Sequence, residues 1–313
     1  MAVLAGAALA LLWIMLSPDP AWAWGPATHV YLGMGVLRSL FLLPPALRAL
    51  LSAYPHDFLY GSIAADISLA KKYVPEGRHC HHWHVGEEIL ATASTDRLRA
   101  VGLGYLTHLA ADTIAHNTYV PRQLLLTSSS KALGHSYWEH RMDLQLGEGY
   151  TALAREVVMD YDHSHADAHF DQVLSATLFS FQTNLRIFRG MIRFQDNDRW
   201  QSIFGTVLQN SRWSLSDDSM EAYTDRSFDY VIDYLRQRGA ALAAGLDPIG
   251  DRNLSISKRV RRLAAREGLW KRAPGALEDL ADDFFPLPEL PYGYRSRTAA
   301  EPERGTNEEA DTP

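Results

Sequence analysis

The sequence has only one cysteine and no excess of basic residues, and both features restrict what the protein can be. Cys80 is the only cysteine among 313 residues, so no disulfide can form within the chain and its stability must come from packing or bound metal. The formal net charge of −7 argues against a general nucleic-acid binder, which would present a basic surface. Strand-like alternation of apolar and polar residues is also lacking, so the sequence predicts an all-α protein.

The N-terminal segment lacks lysine and arginine but has the other features of a secretion signal. Ala2–Leu16 is uncharged, rich in alanine and leucine, and shorter than the ~20 residues that span a bilayer. Residues 21–23, Ala-Trp-Ala, have the small-x-small pattern that signal peptidase cleaves. We therefore predict a signal peptide at residues 1–23, export to the periplasm or the medium, and a mature chain that begins at Trp24. An uncleaved anchor is the alternative.

Apolar residues recur at helical spacing along most of the remaining chain. Val30–Leu51 is interrupted by Pro44 and Pro45, which predicts two short helices. Val85–Tyr119 predicts one long helix that ends near Pro121. Further helices are predicted at Tyr150–Met159, Phe170–Met191, Arg199–Ser211, Met220–Ala244 and Ser255–Arg266.

The periodic pattern predicts one multi-helix domain over residues 24–295. Residues 296–313 are polar and acidic and contain no large apolar residue, which is typical of a disordered tail. A basic amphipathic stretch, SKRVRRLAAREGLWKR, begins at Ser257. It is interpreted either as a solvated helix face or as a surface that attracts anionic lipid headgroups.

The stretch THLAADTIAHN places three side chains of the metal-ligand type, His108, Asp112 and His116, four residues apart. Each step of four turns by about 40° on an α-helix, so all three project from one stripe of a helix into one pocket. Leucine, isoleucine and alanine residues flank them, and burying such polar groups without a cation would be costly. We therefore predict a metal site here.

Two further stretches offer ligands of the same type. HSYWEH supplies His135 and Glu139, again four residues apart on a predicted helix, although such a pair alone is also typical of a helix surface. Upstream, YGSIAADIS places Asp66 after a glycine-containing turn and among small residues. HSYWEH follows the predicted metal site after a short loop, which favours the metal interpretation of its pair.

The stretch RHCHHWHVG has four histidines within six positions. In any regular structure these four side chains point in different directions, so they cannot all ligate one ion. We select His81 as the ligand, with His82 and then His79 as substitutes. A polar surface turn without metal is the alternative interpretation.

This ordered set of residues resembles the zinc-dependent phospholipase C family of bacteria. Wider relatives of that family include fungal single-strand-specific nucleases and the catalytic domain of animal glycosylphosphatidylinositol-specific phospholipase D. The residues that carry the resemblance are Trp24, His29, Asp66, a histidine between 79 and 84, His108, Asp112, His116, His135 and Glu139. The resemblance implies an all-α domain around a trinuclear zinc site, with three Zn²⁺ ions as cofactors.

The family's ligands can be carried over by motif. The first zinc would be held by Asp66, His81 and His108. The second would be held by His116, His135 and Glu139. The third would be held by His29, by Asp112 as a bridging ligand, and by the α-amine and carbonyl of Trp24. That amine exists only after the signal peptide is removed, so the resemblance implies that export also activates the protein.

The resemblance implies an exported zinc-dependent phosphodiesterase that hydrolyses phospholipids as a phospholipase C. A zinc-bridging hydroxide would attack the phosphodiester, and Asp66 is the expected catalytic residue because it would orient or deprotonate the attacking water. The short interval between Asp112 and His116 resembles the phospholipase D relatives, which leaves the cleaved bond open. The alternatives are a single-strand-specific nuclease and a zinc-binding protein without turnover.

The expected partner is a phospholipid substrate, met through transient contact with a membrane surface. The acidic composition argues against a stable nucleic-acid partner.

Overall fold

The structure, a computed structural model, describes residues 24–294 apart from 70, 128–130, 196–201, 203–204, 207–209, 212, 270–274 and 291. The predicted signal peptide at 1–23 and the predicted tail at 296–313 lie outside these residues. No strand occurs in the part of the chain that is described, and helices make up most of it. The all-α prediction is therefore confirmed.

The α-helices are numbered here in chain order. They are α1 Pro26–Arg38, α2 Pro45–Ala53, α3 Pro55–Ala64, α4 Trp83–Ala91, α5 Asp96–Ile114, α6 Val120–Thr127, α7 Lys131–Leu146, α8 Glu148–Met159, α9 Ser164–Val173, α10 Phe181–Gln195, α11 Asp217–Gln237, α12 Asp251–Arg266 and α13 Ala276–Phe284. Single 3₁₀ turns lie at Leu40–Leu42, Ala65–Ile67, Lys71–Tyr73, Arg238–Ala240 and Leu242–Gly245. A π turn at Ala115–Tyr119 joins α5 to α6.

The two short helices expected around Pro44 and Pro45 are confirmed as α1 and α2. The single long helix predicted over Val85–Tyr119 is wrong in two respects: it is interrupted between α4 and α5, and helical structure continues beyond its predicted end. The chain leaves helical geometry after α4 and re-enters it at α5, where the Thr95 hydroxyl accepts the Leu98 amide at 3.2 Å and caps the new helix. At the other end, helical structure continues past Pro121 to the end of α6, because the intervening π turn removes the need for the proline N–H.

The helix predicted over Phe170–Met191 is also two helices, α9 and α10. The predictions for α8, α11 and α12 are confirmed with shifted boundaries. Most of the helix predicted over Arg199–Ser211 lies outside the described residues. Among the described helices, none is both long enough and apolar enough to cross a membrane.

Helix α5 is the central helix of the domain. Every residue from Ala100 to Ala115 is buried, so this helix has no solvent-facing stripe and α3, α4 and α11 pack around it. The contact with α3 is close: a Cβ placed on Gly61 would lie 2.0 Å from the Val101 carbonyl oxygen, and one on Gly104 would lie 2.0 Å from the Phe58 carbonyl oxygen. The two backbones therefore touch where these glycines meet, which brings the residues that follow α3 next to α5.

We predict that Gly61→Ala destabilises the protein by about 3 kcal/mol, because the added methyl group would force two helix backbones apart. Gly190→Ala is the matched control: this exposed position within α10 has open space around it, so alanine is expected to stabilise by about 0.5–1 kcal/mol. Urea unfolding of both variants measures the difference. Equal stability of the two variants would show that α3 and α5 do not touch in this way.

Candidate metal centre

The nine sequence-predicted ligands lie in one connected and buried region. They come from the segment before α1, from α1, α5, α7, the π turn and the loops that precede α4. Their exposed fractions are Trp24 0%, His29 1%, Asp66 1%, His81 0%, His108 0%, Asp112 0%, His116 0%, His135 2% and Glu139 3%. Polar side chains buried this completely require partners of matching chemistry.

Asp112 lies at the middle of this region, with its two carboxylate oxygens facing different groups. Its Oδ2 is 3.2 Å from Nε2 of His81 and 3.2 Å from Nε2 of His108. Its Oδ1 is 3.4 Å from Nε2 of His29, whose ring stacks on that of His108 at 3.8 Å between centroids. A carboxylate placed between two donor groups in this way suits a ligand that bridges two cations.

Asp66, His81 and His108 form the first donor group. The Nε2 atoms of the two histidines are 3.1 Å apart, and Asp66 Oδ1 lies 3.5 Å from the first and 3.9 Å from the second. The Nδ1 atom of His108 hydrogen-bonds to the Ser62 carbonyl at 3.0 Å, which fixes its ring and directs Nε2 toward the group. Ligands of a tetrahedral zinc ion lie about 3.3 Å apart, so these donors have nearly the required spacing.

His116, His135 and Glu139 form the second donor group. Nε2 of His135 is 3.1 Å from Oε1 of Glu139, and the rings of His135 and His116 are 5.2 Å apart and nearly perpendicular. His116 lies in the π turn, and its Nδ1 donates a hydrogen bond to the Pro248 carbonyl. The ring of His116 is also 6.5 Å from that of His81, so the two groups adjoin.

The loop before α12 supports His116 from behind. Gly250 in that loop has a φ of +66°, and a Cβ on it would lie 2.4 Å from the His116 carbonyl oxygen. Only glycine combines this backbone conformation with so close an approach. Pro248 and Gly250 carry no ligand side chain and lie far along the chain from His116, so no sequence pattern marks them as part of the site.

Trp24 packs against the helix that carries Asp112. Its indole Nε1 donates to the Ala111 carbonyl at 3.1 Å, and its ring stacks on Tyr119 at 4.8 Å between centroids. The side chain is therefore fixed beside the two donor groups. This contact places the indole of Trp24 against the backbone of the residue that precedes Asp112.

Asp143 on α7 holds the start of α1 in place. Its carboxylate accepts the Thr28 amide at 2.9 Å, the Thr28 hydroxyl at 2.6 Å and the Ala27 amide at 3.2 Å, so it caps a helix from across the fold. A Cβ on Gly25 would lie 2.1 Å from Asp143 Oδ2, which explains the glycine that follows Trp24. The cap thereby positions His29, one turn into α1.

Within the histidine cluster of residues 79–84, only His81 joins the first donor group. His79 accepts the His81 amide at its Nδ1, at 3.1 Å, and so lies beside that residue. His82 and His84 stack on each other at 5.3 Å; His84 is exposed and His82 is partly exposed. The substitute ligands considered from the sequence thus occupy different positions from His81.

Lys71 also belongs to the site, although it was not among the residues predicted from the sequence. Its ammonium lies 3.0 Å from Asp66 Oδ1, and its side chain is almost completely buried. Nζ is also 3.4 Å from Nδ1 and 3.5 Å from Nε2 of His81. A buried ammonium beside a carboxylate shows that this region attracts positive charge. No motif signals the residue, since it stands in a polar loop with another lysine.

Burial and neighbouring charges shift the pKa values of Asp66, Asp112 and His29 toward the states that bind metal. Burial and Lys71 would lower the pKa of His81, but Cys80, Asp112 and Asp66 outweigh them and raise it to about 10. Burial would raise the pKa of Asp66, but Lys71 and His108 outweigh it and hold that pKa well below its usual range. Burial likewise opposes ionisation of Asp112, yet neighbouring histidines lower its pKa. Burial, followed by the charge of His108, lowers the pKa of His29 to about 4. Ionised aspartates and neutral imidazoles are the forms that ligate zinc.

Glu139 differs from the two aspartates in the direction of its pKa shift. Its pKa is raised well above the usual value, first by burial and then by the charges of Asp66 and Asp112. A divalent cation at this position would relieve the repulsion.

The buried polar atoms of the centre fit a bound metal. Several have no hydrogen-bond partner in the described part of the protein: His29 Nε2, Asp66 Oδ2, Asp112 Oδ1 and Oδ2, His116 Nε2 and Glu139 Oε1. Two sets of ligand atoms lie within 4.8 Å of one another, one from His29, Asp66 and His108 and one from His81, His108 and Asp112. Imidazole nitrogens with carboxylate oxygens are a typical donor set for zinc.

The helical fold and this donor set define a protein with a buried, multi-ligand metal centre built into an all-α domain. Comparison with protein families identifies which one: the zinc-dependent phospholipase C profile matches residues 28–186, half of the chain. The chain therefore belongs to the zinc-dependent phospholipase C family, whose activity is hydrolytic. The matched region contains every predicted ligand except Trp24. Neither the curated proteins nor the solved structures gave a match.

We predict that Asp112→Asn weakens zinc binding by at least ~100-fold, because it removes the charge of a carboxylate that faces both donor groups. Loss of a residue that only hydrogen-bonds to a metal ligand already lowers metal affinity by about 10–100-fold. Zinc content per chain and the rise in unfolding temperature on adding zinc are the measurements. Asp167→Asn is the matched control, since Asp167 is also buried but binds Tyr60 and Arg189 instead. Full zinc content in Asp112→Asn would contradict this assignment.

Proposed function

We propose that the protein is an exported zinc-dependent phosphodiesterase that hydrolyses phospholipids as a phospholipase C. Membership of the zinc-dependent phospholipase C family supports this reaction class. The observation that carries the proposal is Asp112, a fully buried carboxylate whose two oxygens face different sets of imidazole nitrogens. Such an arrangement suits adjacent metal ions acting on one phosphodiester.

We assign the ligands in the order implied by the resemblance. Asp66, His81 and His108 would hold one zinc, while His116, His135 and Glu139 would hold another. His29, Asp112 and the terminal amine and carbonyl of Trp24 would complete the set of three. When bound, zinc supplies an activated water and polarises the phosphoryl oxygens.

The protein's own residues would position these parts. Asp66 would orient the attacking water or accept its proton, and the low pKa of this carboxyl group keeps it ionised for that role. The second oxygen of Asp66 has no hydrogen-bond partner among the described residues, so it is available for a proton or a ligand. The buried surroundings exclude bulk water and so strengthen the attraction between the fixed charges and the phosphodiester.

A basic face next to the centre supports the proposed contact with a membrane. Helix α12 begins directly after Gly250, which packs on His116. Its exposed residues are Asp251, Arg252, Ser255, Arg259, Arg262, Leu263, Ala265 and Arg266, so arginines are the most frequent type among them. The other side of α12 packs on α6, where Ser257 donates a hydrogen bond to the Pro121 carbonyl at 2.7 Å. The exposed arginines would attract anionic headgroups while Leu263, 52% exposed, offers apolar surface.

We expect the zinc-loaded chain to hydrolyse phosphatidylcholine to diacylglycerol and phosphocholine, and a chelator to abolish the reaction. Short-chain phosphatidylcholine, anionic vesicles and single-stranded DNA are the three substrates to compare. Arg259→Gln/Arg262→Gln should slow vesicle hydrolysis and leave the short-chain reaction unchanged, because those arginines lie on the exposed face of α12.

Release of nucleotides from DNA with intact phospholipid would support a nuclease instead. Zinc binding without hydrolysis of any of the three would support a binding protein without turnover.

The proposed terminal ligand predicts a defined mature N-terminus. Mass spectrometry of the exported protein should show a first residue of Trp24, and a variant with Ala23→Leu, which impairs small-x-small cleavage, should retain the segment before it. The uncleaved form should bind less zinc, because the nitrogen of Trp24 is then an amide. Equal zinc content in the cleaved and uncleaved forms would contradict a role for the amine.

A further inference from the structure

The two ring nitrogens of His81 face two different sets of atoms. Nε2 lies 3.1–3.5 Å from His108, Asp112 and Asp66, as described above. Nδ1 lies 3.3 Å from the Sγ atom of Cys80. The sulfur is therefore beside the zinc centre although it belongs to neither donor group. The proposed function makes no use of this buried thiol.

His79 completes a compact set of ligand atoms around that sulfur. One ring nitrogen of His79, Cys80 Sγ and one ring nitrogen of His81 all lie within 4.8 Å of one another. Zn–S and Zn–N bonds of ~2.3 and ~2.0 Å place tetrahedral donors about 3.5 Å apart, so the 3.3 Å contact between Cys80 Sγ and His81 Nδ1 already suits one metal. The His79 nitrogen lies within 4.8 Å of both atoms and would have to move closer. His79 Nδ1 now accepts the His81 amide at 3.1 Å. Because a neutral imidazole has one lone pair, that hydrogen bond would have to break for His79 to bind the metal.

A positive charge already lies next to this set. The ammonium of Lys71 is 3.4 Å from Nδ1 of His81 and is buried with it. A protein interior accepts such a charge only where its surroundings stabilise it. A divalent cation bound here would take over that position, and the flexible lysine side chain would have to move away.

We propose that His79, Cys80 and His81 form a sulfur-containing metal position beside the zinc centre, which takes a thiophilic divalent cation such as Zn²⁺, Co²⁺ or Cd²⁺. On binding, a metal–sulfur bond forms and the thiol proton leaves to solvent. A neutral imidazole offers one lone pair, so His81 serves either this position or the Asp66 group. The sulfur position is therefore an alternative location for the ion that His81 holds, and thiophilic ions favour it.

Titration of the metal-free full chain with Co²⁺ tests the proposal. Cobalt bound to a thiolate absorbs in the near ultraviolet by charge transfer, whereas nitrogen and oxygen ligands give only the visible ligand-field bands. Because Cys80 is the only cysteine, a charge-transfer band would identify its sulfur as the ligand. We expect this band in the wild type and its loss in Cys80→Ser, which is nearly isosteric and keeps a hydrogen-bonding group.

Two further variants separate the sulfur position from a general charge effect. Lys71→Met removes the competing ammonium at nearly the same volume, so the charge-transfer band should appear at a cobalt concentration at least tenfold lower. Arg48→Met removes an exposed cation on α2 and should leave the titration unchanged. An equal shift in both variants would overturn the role assigned to Lys71 and, with it, the position proposed here.

The outcome also distinguishes this position from the centre itself. Visible cobalt bands that saturate without a charge-transfer band would overturn the sulfur position and leave the zinc centre intact. Absence of both kinds of band would contradict the proposed zinc centre as well.

Discussion

The structure depends on one electrostatic constraint: carboxylates and imidazoles are buried together in an apolar helical core. Isolated ionised groups in such surroundings would be strongly destabilising, and the hydrogen bonds available leave oxygens of Asp66, Asp112 and Glu139 without partners. Cations are the remaining way to compensate them. The close packing of α3 on α5, the cap that Asp143 provides and the loop behind His116 all serve to hold these groups together. Fold and centre are therefore consequences of the same requirement.

Local sequence patterns predicted the parts of this arrangement that depend on helical spacing. His108 and Asp112 lie on one stripe of α5, and His135 and Glu139 meet at 3.1 Å on α7, because residues four apart on a helix are neighbours. Family resemblance added Trp24 and His29, which no spacing rule connects to α5. The break between α4 and α5 was missed because no proline or glycine marks it; only the Thr95 cap does.

Long-range contacts could not be predicted from local patterns. The Pro248 carbonyl and Gly250 support His116 from more than 130 positions along the chain, and neither residue type indicates such a role. Lys71 resembles any lysine of a polar loop, yet tertiary packing buries its ammonium against Asp66. In each case the role of the residue comes from its contact with a residue that only the folded structure brings close. A single sequence contains no information on such contacts.

The number of residues in the π turn between α5 and α6 determines how α6 is oriented relative to α5. Ala115–Tyr119 contains His116. Because a π turn has more residues per turn than an α-helix, it changes the angle around the helix axis between Asp112 and His116. Shortening this stretch by one residue would restore an uninterrupted ladder of hydrogen bonds. It would also rotate α6 by about 100° relative to α5. The residues of α6 that pack on α12 would then point away from α12. A regular α-helix at this point would therefore not fit the surrounding domain. The irregular π turn is what orients α6 for packing against α12.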